Sequence, residues 1–138
     1  MPSPVSPNVP PSDTKVLSIG LHPRSLDYSD VPDGINEATL TARIEAANAA
    51  LREAEPNIVP CLVDADPDSA EAAVRTHLAD GPFGLAMIGG AVRMLPQYTL
   101  LFERLVNVLT AATPGIRLCF NTAPENTLEA IHRWLPRS

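Results

Sequence analysis

Four short apolar runs recur along the chain, Lys15–Leu21 (KVLSIGL), Ile58–Val63 (IVPCLV), Phe83–Ile88 (FGLAMI) and residues 116–120 (IRLCF), and each is followed by a segment of helical character. No other feature of the sequence constrains the fold as strongly. A strand with one wet face alternates apolar and polar residues, whereas a continuously apolar run suits a strand covered on both faces. Strand and helix in regular alternation then predict a parallel sheet sandwiched between helices.

The intervening segments carry their own signals. Leu40, Ile44, Ala47 and Leu51 recur at spacings of four, three and four, which marks one face of a helix over 36–55, capped by Asn36 and stopped by Pro56. Asp66 before Pro67 reads as a cap with proline at the first helical position, opening a helix to about residue 79 with Ala70, Ala73, Val74 and Leu78 inward. A third helix is expected over 96–112, ended by Pro114-Gly115. Thr122-Ala-Pro-Glu125 matches a capping box for a last helix running to about residue 135. Pro60 lacks a ladder donor, so its strand belongs at an edge. The expected architecture is a three-layer α/β sandwich whose four-stranded parallel sheet has the order 2-1-3-4, a flavodoxin-like sheet without its fifth strand.

The chain of 138 residues is the size of one domain. Five of its fifteen prolines fall within the first eleven residues, so residues 1–13 are expected to be a disordered proline-rich tail, with one α/β domain over 14–138. A net charge of −6, from 10 basic and 16 acidic residues, argues against a nucleic-acid partner or an anionic membrane. No apolar run is long enough to span a bilayer and no secretory signal opens the chain, so a soluble, cytoplasmic protein is expected. Two cysteines inside apolar runs, Cys61 and Cys119, read as buried free thiols.

In doubly wound sheets ligands bind beyond the carboxyl ends of the strands, where the strand order reverses. Of the polar residues after the first strand, His22 is a candidate acid–base residue, while Arg24 and Asp27 are candidate ligand contacts. Asp64, after the second strand, is placed to orient His22. Gly89 and Gly90 permit a sharp turn and a close approach of backbone to ligand, and with Arg93 they form a candidate anion site. The alternative for these three residues is a tight strand-to-helix turn with Arg93 facing solvent. Asn121, after the fourth strand, is a further candidate contact. His77 and His132 lie in helical segments and are expected at the surface. The carboxylates of Asp64, Asp66 and Asp68 come without a metal-binding loop pattern or a His/Cys ligand set, so no metal is expected. The dinucleotide fingerprint GxGxxG, the phosphate loop GxxxxGK[ST] and the nucleophile elbow GxSxG are all absent, and no cofactor is expected.

The stretches IGLHPRSLDYSD, MIGGAVRMLPQYTLLFERLVN and CFNTAPENTLEAIHRW resemble those of small single-domain bacterial α/β proteins of unassigned function, which implies a flavodoxin-like or Rossmann-like domain and no particular activity. A type II dehydroquinase is similar in length and layout, but its asparagine-rich and histidine-rich segments have no counterpart here.

Helix 96–112 is apolar over more than one stripe, through Tyr98, Leu100, Leu101, Phe102, Leu105, Val106, Val108 and Leu109. A homodimer through this helix is the expected way to cover its second side. Two functional expectations follow. One is a protein that binds a small polar or anionic metabolite at the strand ends and acts as a cofactor-independent isomerase, hydratase or lyase. The other is a non-catalytic dimeric regulatory or interaction module.

Overall fold

β1 (Lys15–Leu21), β2 (Ile58–Val63), β3 (Phe83–Ile88) and β4 (Arg117–Phe120) pair in parallel in the order β2-β1-β3-β4 in the computed structural model, which describes residues 15–30 and 34–135. The proline-rich tail expected over 1–13 lies outside the described residues. The strand order and the parallel sense agree with the sequence. β2 is an edge strand, with Pro60 opposite Ser18 of β1.

α2 (Pro67–Leu78), α3 (Gly90–Met94) and α4 (Thr99–Ala112) cover one face of the sheet, where Val74, Val92, Leu101 and Leu105 pack with Leu17, Ile19, Cys61 and Ile88. α1 (Glu37–Ala54) and α5 (Thr127–His132) cover the other, where Leu51 and Ile131 meet Val16, Ile58, Leu85 and Met87. Successive residues of β1 and β3 thus point into two separate cores, as the pleat requires. Each fully buried leucine or isoleucine contributes about 1.5–3 kcal/mol.

The local signals act largely as read. Asn36 caps α1, its Oδ1 accepting from the Thr39 N–H at 2.9 Å while Thr39 Oγ1 accepts from the Asn36 N–H at 3.0 Å. Asp66 caps α2 through the Ser69 N–H at 2.9 Å, with Pro67 in the first turn.

Four details differ. Residues 90–94 form α3, where the sequence gives only a glycine turn, because burial of Val92 outweighs the poor helix propensity of glycine. Leu95, extended ahead of Pro96, ends it. Thr122 does not cap α5. Instead Asn126 Oδ1 accepts from the N–H groups of Thr122 (3.0 Å) and Ala123 (3.3 Å), and its amide donates to Thr122 Oγ1 (2.7 Å), forming a tight turn ahead of Thr127. His132 is half-buried rather than on the surface, with Nε2 2.9 Å from Glu55 Oε1, and joins the ends of α5 and α1.

The fourth concerns α4. Leu101, Leu105, Val108 and Leu109 are buried within the chain, and Phe102 packs obliquely on Phe120 with ring centroids 6.0 Å apart. Arg104 donates to Asp68 (2.8 Å) and Glu71 (3.0 Å), fastening α4 to α2. Part of the cover of α4 is thus supplied by α2 and β4 of the same chain, while Leu100 is left exposed.

Candidate functional site

On the face of β1 that looks toward α1, the side chains shrink along the strand from Val16 to Ser18 to Gly20. α1 runs back against the strand direction, and Leu51 near its C-terminal end is its one buried residue. Its N-terminal half therefore crosses the sheet where the floor is smallest. A cavity of about 320 Å³ lies between them. Ser18, Gly20 and Met87 form the floor, Leu40, Ile44 and Ala47 of α1 form the roof, and Gly89, Gly90 and Asn121 close the carboxyl end. The strand order reverses between β1 and β3, whose carboxyl ends border the cavity.

Most polar groups around this cavity are already committed. Asn121 Oδ1 accepts from the Gly90 N–H at 2.7 Å and its amide donates to Thr127 Oγ1 at 2.7 Å. Thr127 Oγ1 in turn donates to the Pro124 carbonyl at 2.8 Å. Arg43, the only ionisable residue lining the cavity among the described residues, makes a two-pronged ion pair from α1 to Glu125, with Nε and Nη2 each 2.7 Å from a carboxylate oxygen. The hydrogen bonds from Arg43 hold the Glu125 carboxyl down at about 2.

Two polar side chains on the lining are different. Ser18 is 7% exposed, and neither its hydroxyl nor the Asn48 amide on α1 has a hydrogen-bond partner among the described residues. Ser18 is a polar residue on a central strand, where valine or isoleucine is the ordinary choice.

The residues singled out from the sequence separate into groups. Gly89, Gly90 and Asn121 line the cavity, whereas His22, Arg24, Asp27, Asp64 and Arg93 do not. Asp64 does not orient His22: its carboxylate accepts from Arg24 Nη2 (3.3 Å), Ser25 Oγ (3.2 Å) and Ser69 Oγ (3.4 Å). Partial burial pushes the Asp64 carboxyl up, but these bonds and the Arg24 charge outweigh it and leave it below its ordinary value. His22 faces Arg24 instead, with Nδ1 accepting from the Arg24 N–H at 3.2 Å and Nε2 3.5 Å from Nη1. Arg24 separates the pair because the turn Pro23–Ser25, which His22 caps, swings the guanidinium between them.

Asp27 Oδ1 accepts from the Ser29 hydroxyl (2.6 Å) and N–H (3.0 Å), an Asx-turn that keeps its carboxyl below the ordinary range. The rest of that loop is pinned by tyrosines. Tyr28 Oη donates to the Pro23 carbonyl at 2.6 Å, and Tyr98 Oη accepts from the Asp27 N–H and donates to the Ser25 carbonyl, both at 3.1 Å.

The anion reading of Gly89, Gly90 and Arg93 meets a different geometry. The Gly89 N–H donates to the Ile19 carbonyl at 2.8 Å and that of Gly90 to Asn121, so both amides are taken by the protein. A Cβ on Gly89 would lie 3.3 Å from the Ile19 carbonyl oxygen, and one on Gly90 would lie 3.3 Å from that of Thr122. The two glycines serve close approach between backbones. Arg93 donates to the Asn121 carbonyl at 3.2 Å and stacks 5.4 Å from the Phe120 ring centroid.

The thiols are inert by environment. Burial pushes Cys61 up to about 11 and Cys119 up to about 12. Among the described residues no group of three or more His, Cys, Asp or Glu is placed to hold a metal ion, and no helix is long and apolar enough to cross a membrane. No family model matches the sequence, and no curated protein and no solved structure matches it either.

Ser18, Asn48 and Arg43 were not marked by sequence reasoning. The signal for Ser18 and Gly20 is their alternation in KVLSIGL, which places the two smallest residues of the run on one face of the strand.

Proposed function

We propose that the protein is a small-molecule-binding domain whose ligand occupies the cavity between α1 and the carboxyl half of the sheet. The observation that carries this reading is Ser18, a polar residue 7% exposed on a central strand, whose hydroxyl opens onto the cavity and makes no hydrogen bond with the described residues. A hydroxyl that is open to a cavity and uncommitted to the protein is free to donate to and accept from a molecule that enters it. A site of this size, mainly apolar with a few polar groups, is the ordinary form of a small-ligand pocket.

The reading favours binding over catalysis. Among the described residues no His, Asp, Glu, Cys, Lys or Tyr lines the cavity, and Arg43 is held by Glu125, so none of them offers a side chain for proton transfer there. His22 and Asp64, on which isomerase, hydratase or lyase chemistry rested, lie outside it.

Filling the cavity from its roof tests the proposal. Ala47→Phe places an aromatic ring from α1 in the ligand's volume and spares the sheet. Fragments that raise the Tm of the wild-type protein are expected to leave that of the variant unchanged. Equal shifts in both proteins would place binding elsewhere and overturn the reading.

A further inference from the structure

The chemistry of the lining narrows the ligand further, on the basis of the binding reading above. Charge decides first. The one ionisable lining residue among the described residues, Arg43, is already neutralised by the carboxylate of Glu125 at two 2.7 Å contacts. A charged ligand would enter a mainly apolar space without a free counter-ion, which is strongly unfavourable.

Hydrogen-bonding capacity decides next. Asn121 and Thr127 are engaged within the protein, and exposed Thr122 accepts from Asn126. The hydroxyl of Ser18 on the floor and the carboxamide of Asn48 on the roof remain, and each can both donate and accept. A polar group lodged between them meets a donor and an acceptor on either side.

Shape and softness decide last. A cavity of about 150 Å³ takes benzene, so the roughly twofold larger space here suits a body of about ten heavy atoms. Met87 on the floor and Met94 at the rim offer thioethers to an aromatic ring.

We infer that the ligand is a small neutral molecule with an apolar, preferentially aromatic body and one uncharged hydroxyl or carboxamide head, seated with the head between Ser18 and Asn48. Three matched probes test this on the full chain, followed through the amide resonances of Ser18, Gly20 and Asn48 by NMR at pH 7: 4-ethylphenol, ethylbenzene and 4-methylbenzoate. 4-Ethylphenol is expected to bind about tenfold more tightly than ethylbenzene, as one or two neutral hydrogen bonds imply, and 4-methylbenzoate is expected not to shift these amides. Ser18→Ala should bring 4-ethylphenol down to the level of ethylbenzene and leave ethylbenzene unchanged. Asn48→Leu, a change on the half-buried roof of the cavity, should weaken 4-ethylphenol in the same sense. Ethylbenzene binding as well as 4-ethylphenol, no response to either substitution, or tightest binding by the carboxylate would each overturn the assignment of the head group while the cavity still binds. If none of the three moves these amides, the binding reading falls with it.

Discussion

Asn121 shows how far a single residue can be read before the chain is folded. Its position just after an apolar run marks it as a strand-end residue, and such residues often meet ligands. The groups that use it are Gly90, thirty-one positions earlier, and Thr127, six positions later, and they meet only once β4 has paired with β3. No local pattern encodes that meeting. The side chain is 6% exposed and holds three segments together: the start of α3, the end of β4 and the start of α5. Asn121→Ala would strand the Gly90 N–H and remove both bonds. A loss of about 2–3 kcal/mol is expected in urea unfolding, with the slope against denaturant unchanged. A loss below about 0.5 kcal/mol would mean that Asn121 is not the structural tie described here. Ser18 is the opposite case. Its place in KVLSIGL is visible in the sequence, but an unpartnered hydroxyl becomes visible only when the floor and roof of the cavity are both in place.

Helix α1 raises the same question one level up. Its limits were legible, since Asn36 and Thr39 cap it and Pro56 follows its end. Its periodicity suggested ordinary core packing for Leu40, Ile44 and Ala47, yet those residues stand over a cavity and only Leu51 is buried. Periodicity identifies the inward face of a helix but not its distance from the sheet, which is set by the residues beneath it. Where Val16 lies below, the face closes into a core; where Ser18 and Gly20 lie below, it does not.

With so little burial, the N-terminal half of α1 depends on its tie to the segment before α5, the Arg43–Glu125 pair. A carboxyl held down at about 2 contributes fully above its unfolded value near 4.5, and the contribution is lost as the pH falls through about 2. Both side chains are substantially exposed, so solvent screening limits the pair to about 0.5–1 kcal/mol. Glu125→Gln is therefore expected to lower stability by that amount at pH 6, and the gap between variant and wild type should narrow as the pH is taken from 4.5 toward 2. A gap that stayed constant or widened over that range would show that the pair does not hold the helix.

For the molecule as a whole, the architecture was legible because the fold class depends on redundant signals. Four apolar runs, the segment of helical character after each and the edge preference of Pro60 agree on one parallel sheet of order 2-1-3-4, and no single misreading of a helix limit disturbs it. The covering of α4 was not legible, because a count of apolar residues on a helix does not say how many neighbours reach it. In the fold α4 touches the sheet along one side and α2 along another, with Arg104 bridging to Asp68 and Glu71. Of its large apolar side chains Leu100 stands out in solvent, at 72% exposure. The other exposed large hydrophobics among the described residues are Leu62 and Met94, both at the cavity, and Trp134 beyond α5. On α4 itself Leu100 is the one exposed large hydrophobic, less than the continuous apolar patch that a stable dimer buries. The acidic surface adds mutual repulsion between copies, from a net charge of −6. Light scattering on the eluting peak at tens of micromolar is therefore expected to give the mass of one chain, with Leu100→Glu eluting identically. A wild-type mass of two chains that fell to one in Leu100→Glu would show instead that α4 carries an interface after all, built around the one large side chain that the fold leaves uncovered on it.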